Sequence, residues 1–489
     1  MPVQLDRSLG SQPLQVHASL RAAILDGRLI AGLRLPSSRY LADQLGVRRN
    51  AIVGAYEHLL SDGLLEARVG DGTYVASQLP PRLDRTVEAP FALAPYRCGA
   101  FALGQTHIDP HLLRRLASAA RRRISSAADL GYADPRGSEA LRRQISIHLA
   151  ASRGIRCDPS CILIVGGTQQ GVRLCADALL RAGDLVWMED PGYPATRATL
   201  GAAGMRVVPV PVDADGLDVA AGQRAWPRAK AAYVTPSHQF PTGVTMRMER
   251  RIALLAWARA ARAWVFEDDY DSEFRYAGPP LTALASIDGN DRVIYIGTFS
   301  KTLFAGLRLA YIVLPPAVVE RVVLARATHD RFPPCVMGEA IADLMASGTL
   351  ATHVRRMRAR YRLARDAVAN ALAQSAGDAL QVVVPSQGLH MLAYLPAAMA
   401  RDAPARIREI AKVDAWLVSE TRLVRTKRDG FVLGFAGHDI KELTAAAHRL
   451  GIAARPYVRT TGSGSSSAPT ARQPGSLQRR SARRWPAQR

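Results

Sequence analysis

Apolar residues recur at helical spacing through the first part of the chain. In LQVHASLRAAILDG, residues 14–27, Leu14, Val16, Leu20, Ile24 and Leu25 follow a 3.6-residue period, and Gly27 suits the end of a helix. RLPSSRYLADQLGV follows, with Ser37 as an N-cap candidate and Leu41, Ala42 and Leu45 on the inner face. Gly46 turns the chain into RRNAIVGAYEHLLSDG, a third helix that faces inward with Ile52, Ala55, Tyr56 and Leu59. LLEARVGDGTYVA then alternates about Gly70-Asp71-Gly72, the pattern of a short hairpin. Three helices and a hairpin in about 65 residues predict a helix-turn-helix with a β-wing.

From residue 78 to 97 the pattern lapses. QLPPRLDRTVEAPFALAPYR, from residue 78 on, carries four prolines and reads as a connector. Beyond it, helical stretches alternate with short apolar runs: ILIV (162–165), LVWM (185–188), AAYV (231–234), WVFED (264–268), VIYIG (293–297) and LAYIVL (309–314). Strands separated by helices over some 200 residues predict a mostly parallel sheet covered by helices. After about residue 315 the runs at 382–384, 389–395 and 430–436 predict a smaller C-terminal α+β lobe.

Charge and composition refine this picture. The net charge is +22, but seven arginines and no acid lie between Arg459 and the end, in a Ser/Gly/Pro/Arg-rich tail that composition marks as disordered. The first 77 residues hold eight arginines against seven acids, so total charge does not locate a nucleic-acid site; individual arginines must. The five cysteines form no CxxC pair and no metal-like spacing, so no metal site is expected. No apolar stretch is long enough to cross a membrane and no leader is visible, so a cytoplasmic protein is expected, at the nucleoid when bound to DNA. Only five of the 64 basic residues are lysine, which draws attention to Lys301.

Four segments carry chemistry. GTFSKTLFAGLRLAY (297–311) places Lys301 just beyond a strand, where α/β sites form, and Arg308 seven residues on. A neutral lysine can form a Schiff base with an aldehyde, and a guanidinium can grip a phosphate with two hydrogen bonds. FEDDYDSEF (266–274) puts Asp268 and Tyr270 at another strand end, where a carboxylate could hold a pyridine nitrogen protonated and a phenol could tune a ring hydroxyl. IVGGTQQGVRLCADALL (164–180) runs strand, glycine turn, helix; Gly166, Gly167 and Thr168 offer backbone N–H groups to an anion. In WMEDPGYP (187–194), Tyr193 could stack on a flat ring.

The first 77 residues resemble the winged helix-turn-helix of the GntR family. The resemblance implies a DNA-binding domain over 12–77 in which Arg39, Arg48, Arg49, Asn50 and the wing at Gly72 face double-stranded DNA. The family usually has Ser and Thr where this chain has Arg48 and Ala51. Residues 98–457 resemble fold type I pyridoxal-phosphate enzymes of the class I aminotransferase kind, and the whole chain resembles the MocR subfamily of GntR regulators. This implies pyridoxal 5'-phosphate as cofactor and Lys301 as its Schiff-base lysine. It makes Asp268 the pyridine partner, Tyr270 the partner of the ring oxygen, and Tyr193 the stacking ring. Gly167, Thr168, Ser300 and Arg308 become the phosphate cradle. Tyr132, in GYADPRG, matches a tyrosine that reaches the phosphate from the other subunit, which implies a homodimer.

Two positions depart from the aminotransferase pattern. In TPSHQFPTG (235–243), Phe240 stands where an asparagine is expected. In FVLGFA (431–436), Val432 replaces the arginine that clamps a substrate carboxylate, with His390 and Arg425 as possible substitutes. Three readings follow: a regulator whose body senses an amine, a regulator that senses pyridoxal phosphate itself, and a working aminotransferase with an accessory DNA-binding head. Val432 tilts the balance toward the second.

Overall fold

Gly46, in left-handed conformation with φ 65°, reverses the chain between two of the N-terminal helices. The computed structural model describes residues 5–6, 10–68, 70–77, 97–125, 131–289, 291–396, 402–424 and 428–457. Most of the connector, the basic tail and Arg425 lie outside these residues. The chain divides into two units, residues 1–95 and 96–489.

In the first unit, α1 (Gln12–Leu25), α2 (Ser38–Leu45) and α3 (Arg49–Ser61) precede a hairpin of β1 (Leu65–Arg68) and β2 (Gly72–Val75). Ser37 caps α2 by accepting from the Tyr40 N–H at 3.3 Å. Val16, Leu20, Ile24, Leu41, Ile52, Ala55, Leu59 and Val75 form one buried core. Leu14, part of the predicted period, is 56% exposed, because α1 turns only its 16–20–24 stripe inward.

The second unit opens with α4 (Pro110–Ile124) and α5 (Glu139–Arg153). An eight-stranded sheet follows, built of β3 (Ile162–Val165), β4 (Leu185–Asp190), β5 (Arg206–Asp213), β6 (Gly216–Leu217), β7 (Ala231–Val234), β8 (Trp264–Asp269), β9 (Val293–Thr298) and β10 (Ala310–Val313). Interleaved are α6 (Thr168–Leu179), α7 (Pro194–Ala202), α8 (Val219–Ala225), α9 (Met248–Ala261) and α10 (Leu284–Asp288). The sheet order is β3-β10-β9-β8-β7-β4-β5-β6. Strands β9, β8, β7, β4 and β5 run parallel, while β10 is antiparallel to both neighbours. Buried apolar layers lie on both faces, the reason its strands read as unbroken apolar runs. RVVPVPVD, which forms β5, carries prolines and alternating burial and gave no such run.

Next come α11 (Val319–His329), α12 (Cys335–Ala346) and the 28-residue α13 (Thr349–Ala376), which leads into the smaller lobe. That lobe holds β11 (Gln381–Val383), β12 (His390–Tyr394), α14 (Ala403–Ala411), β13 (Trp416–Leu417), β14 (Gly430–Gly434) and α15 (Ile440–Ala454). Its antiparallel sheet, β11-β12-β14-β13, packs on α13 and α15 through Tyr361, Val368, Leu372, Phe431, Leu433 and Leu450.

Candidate functional site

Strands β3, β4, β7, β8 and β9 point the same way, so the residues that follow them meet along one rim of the sheet. Gly167 follows β3, Tyr193 follows β4, Phe240 follows β7, Tyr270 follows β8 and Lys301 follows β9. Arg308 joins them because β10 runs the other way and begins at that rim. They line a cavity of about 330 Å³, together with Thr168, Asp268 and Ser300. The small lobe closes one side with Leu389, His390 and Trp416, and the segment before α4 adds Leu103, Gly104 and Gln105. This is the strand-end position at which α/β folds bind ligands.

The Nζ of Lys301 lies 3.4 Å from the Gly104 carbonyl oxygen. A Cβ at Gly104 would stand 3.2 Å from that nitrogen, so glycine keeps the space beside the amine open. Burial pushes the Lys301 amine below its usual range, opposed by Asp271 and Asp268. A buried amine that loses its proton readily is the form that attacks an aldehyde.

Asp268 is buried, and the Tyr233 hydroxyl donates to its Oδ2 while Oδ1 has no partner among the described residues. Burial, helped by neighbouring Asp269, pushes its acid up to about 7, while the Tyr233 bond and Lys301 pull it down. Such a carboxylate is completed by a buried cationic N–H. The Tyr270 hydroxyl donates to the His238 carbonyl oxygen at 3.0 Å and lies 3.1 Å from His238 Nδ1. His238 in turn is 3.0 Å from Asp271.

A cradle forms at the start of α6. Gly167, with φ 149°, caps the helix; a Cβ there would stand 3.1 and 3.2 Å from the two terminal nitrogens of Arg308. Any side chain would therefore fill the space between the helix N-terminus and the guanidinium. Arg308 itself holds φ 51°, strain that a non-glycine residue adopts where the surroundings fix it. The N–H of Gly166 is already bound by Gln170 Oε1 at 2.5 Å, while Gly167, Thr168, Ser300 and Arg308 line the open space.

Orphaned Asp268 Oδ1, the space kept by Gly104 and the cradle at Gly167 fit a flat aldehyde with a basic ring nitrogen and a phosphate. Pyridoxal 5'-phosphate has these groups, and when bound it supplies an electron sink. Tyr193 and Phe240 stand edge to face at 5.4 Å; Phe240 also meets His390 at 5.5 Å and Trp416 at 6.3 Å. Phe240 therefore serves an aromatic wall where an amide would have offered a donor.

Tyr132 is not brought into this cavity; it is 85% exposed, edge to face with Phe332 and beneath Arg331. Val432 is fully buried among Leu392, Tyr394 and Val418, one layer behind Leu103 and Trp416. His390 does line the cavity, its Nε2 3.0 Å from the Pro241 carbonyl oxygen, and burial and the adjacent His238 hold it down at about 4. It is thus a neutral ring and not a cationic clamp. Sequence reasoning missed Tyr233, His238 and Trp416. Tyr233 sits inside an apolar strand run, and the other two become neighbours of the site only through the tertiary fold.

In the first unit, Arg39, Arg48, Arg49 and Asn50 are all exposed, the last three at the start of α3, and Gly72 opens β2 of the wing. Arg49 Nε reaches Ser38 Oγ at 3.4 Å. Arg34, which the pattern did not single out, lies along the wing, with its guanidinium donating to the Asp71 carbonyl oxygen.

Comparison with known proteins agrees with both halves. Residues 99–450 match the model of aminotransferase class I and II, and residues 13–75 match that of bacterial regulatory proteins of the gntR family. The chain is 34% identical over 456 residues to the probable rhizopine catabolism regulatory protein MocR of Rhizobium meliloti, covering 89% of this chain and 92% of that one. It is 32% identical to the pyridoxine biosynthesis regulator PdxR of Corynebacterium glutamicum, over 88% and 93% of the two chains. Among solved structures, kynurenine aminotransferase of Pyrococcus horikoshii is similar with a TM-score of 0.67 and 25% identity, over 74% of this chain and 92% of that one. The chain belongs to the MocR-like regulators of the GntR family, a winged helix-turn-helix joined to a fold type I aminotransferase body.

Proposed function

We propose that this chain is a pyridoxal-phosphate-dependent, DNA-binding transcription regulator whose body senses an amine or pyridoxal phosphate itself. The observation that carries the reading is the pairing on one chain of exposed arginines at the start of α3 with a cavity holding Lys301, Asp268 and Arg308. In this reading Arg39, Arg48, Arg49, Asn50 and the wing at Gly72 contact an operator, phosphates first and base edges second. Lys301 attaches the cofactor, Asp268 holds its ring nitrogen and Tyr270 orients its ring oxygen. Gly167, Thr168, Ser300 and Arg308 take the phosphate, while Tyr193 covers the ring. Tyr132 reaches the phosphate of a second subunit in a homodimer, consistent with its exposure in the single chain.

Val432 favours the cofactor itself, or an amine without a carboxylate, as the signal. Its apolar cluster offers no charge to a carboxylate. The test is a gel shift on the promoter region with cofactor-free protein, repeated after adding pyridoxal phosphate. A change in DNA affinity that disappears in Lys301→Ala supports the reading. DNA binding indifferent to cofactor, with rapid turnover of an α-amino acid, would instead identify a working aminotransferase with an accessory DNA-binding head.

A further inference from the structure

Behind the cofactor site lies a second cavity, of about 490 Å³, between α5, the first turns of α13 and the segment after β8. The two cavities share Thr298 as a wall. Phe299 and Thr302, which flank Ser300 and Lys301, line the rear cavity, as do Ser272 and Glu273, which follow Tyr270. The groove thus touches the chain just beyond both strands that position the cofactor residues.

Its charges are unbalanced and mostly unspent. Arg275, Arg355 and Arg358 line it, with Arg153 already paired to Asp269, beside a single carboxylate, that of Glu273. Among the described residues none of the three guanidiniums forms an ion pair. Arg275 donates to Gln387 Oε1 at 2.9 Å, with its Nε buried and without a partner; Arg355 reaches only Thr352 Oγ1 at 3.1 Å; Arg358 holds the Glu273 carbonyl oxygen. Among the described residues the Glu273 carboxylate lies within ion-pair distance of His148 alone, at 3.9 Å. Ile145, Phe299, Leu350 and Val354 supply an apolar wall. A part-enclosed groove with guanidiniums, one carboxylate and an apolar wall matches a zwitterion that carries a hydrocarbon side chain.

We propose that this groove binds an amino acid with an apolar side chain, its carboxylate held by Arg355 and its neighbours and its ammonium by Glu273. The occupant is distinct from whatever enters the cofactor cavity, and its binding does not depend on the sensing role proposed above. A route to the cofactor site exists in Arg153, a buried guanidinium that lines the groove. Its Nε pairs with Asp269 at 2.7 Å, next to Asp268, and it donates to Ser237 Oγ at 2.6 Å, next to His238.

The experiment is calorimetric titration of the full-length, cofactor-loaded protein with L-leucine, 4-methylpentanoate, which lacks the amine, and isopentylamine, which lacks the carboxylate. Leucine should bind saturably, and either analogue about tenfold or more weakly, since each forfeits a charge-assisted contact. Arg355→Ala, an exposed position with one local hydrogen bond, should weaken leucine by a similar factor. Glu273→Gln should weaken leucine but not 4-methylpentanoate. Ala351→Trp, which fills the groove from an exposed lining position, should abolish binding without changing the cofactor's absorption. Lys301→Ala should still bind leucine, which separates the groove from the cofactor cavity. The proposal is overturned if leucine gives no saturable heat, if its binding survives Ala351→Trp, or if it is lost in Lys301→Ala alone.

Discussion

Asp268 is buried with one carboxylate oxygen held by Tyr233 and the other without a partner among the described residues, and its acid is raised from 3.8 to about 7. A group raised in the folded state stabilises the fold while protonated and costs stability once it must ionise inside. Its contribution is therefore complete below about pH 4 and is lost as pH climbs through about 7. Buried Glu189, raised to about 7 by the same cause, adds to the trend. Cofactor-free protein should melt at a falling temperature between about pH 4 and 7 and level off above that, and Asp268→Asn should flatten that slope. Pyridoxal phosphate should flatten it too, by giving the anion a cationic ring nitrogen; melting curves with and without cofactor check both. Val432 supplies a second residue-scale prediction. A carboxylate placed beside its cluster would meet apolar surface, which is costly. The wild type should therefore release negligible oxo acid in a single-turnover assay against a panel of α-amino acids, and rapid release from any of them would point to an anchor elsewhere. Val432→Arg would set a guanidinium among Leu392, Tyr394 and Val418, so it should lower stability on the order of 3 kcal/mol unless the side chain reaches the cavity.

At the scale of elements, the recognition helix depends on its approach. Ser37 starts α2 and Gly46 ends it, and only then does α3 present Arg48, Arg49 and Asn50 to solvent. Ser37→Ala should cost the first unit about 1 kcal/mol of stability. Arg49→Ala should weaken operator binding by about 1–3 kcal/mol while cofactor absorption stays unchanged, because the two units have separate cores. A gel shift beside an absorption spectrum reads both effects. The same elements show what the sequence made legible. Helices with apolar stripes and strands buried on both faces announce themselves by period or by unbroken runs, so α2, α3 and most of the large sheet were predicted at their places. Strand β5 was not, since prolines at 209 and 211 interrupt its pattern along the stretch that β6 leaves unpaired. Lys301, Asp268 and Arg308 were legible because each stands next to a strand end in a compact motif. His238 and Trp416 were not, because they approach the cavity only when β7 and the small lobe are folded against β8.

At the scale of the whole molecule, a DNA-reading unit and a cofactor-holding unit share one chain, and regulation requires a coupling free energy between them. Such coupling is reciprocal. If pyridoxal phosphate changes operator affinity by some factor, operator DNA must change pyridoxal phosphate affinity by that same factor. For the typical range of about 1–3 kcal/mol the factor is about 5 to 150, within reach of ordinary titrations. The prediction is checked by measuring operator affinity at zero and saturating cofactor, then cofactor affinity with and without operator. Arg49→Ala should lower operator affinity equally with and without cofactor, leaving the factor intact, since it removes a DNA contact and not the link. Lys301→Ala should shrink the factor in both directions, because it removes the attachment proposed to distinguish the cofactor from a loosely held phosphate. Two factors that disagree would mean that cofactor and operator are bound by different forms of the protein, such as subunits and dimers in changing proportion. Repeating both titrations at two protein concentrations would expose that case, since only an assembly step makes the factor depend on concentration.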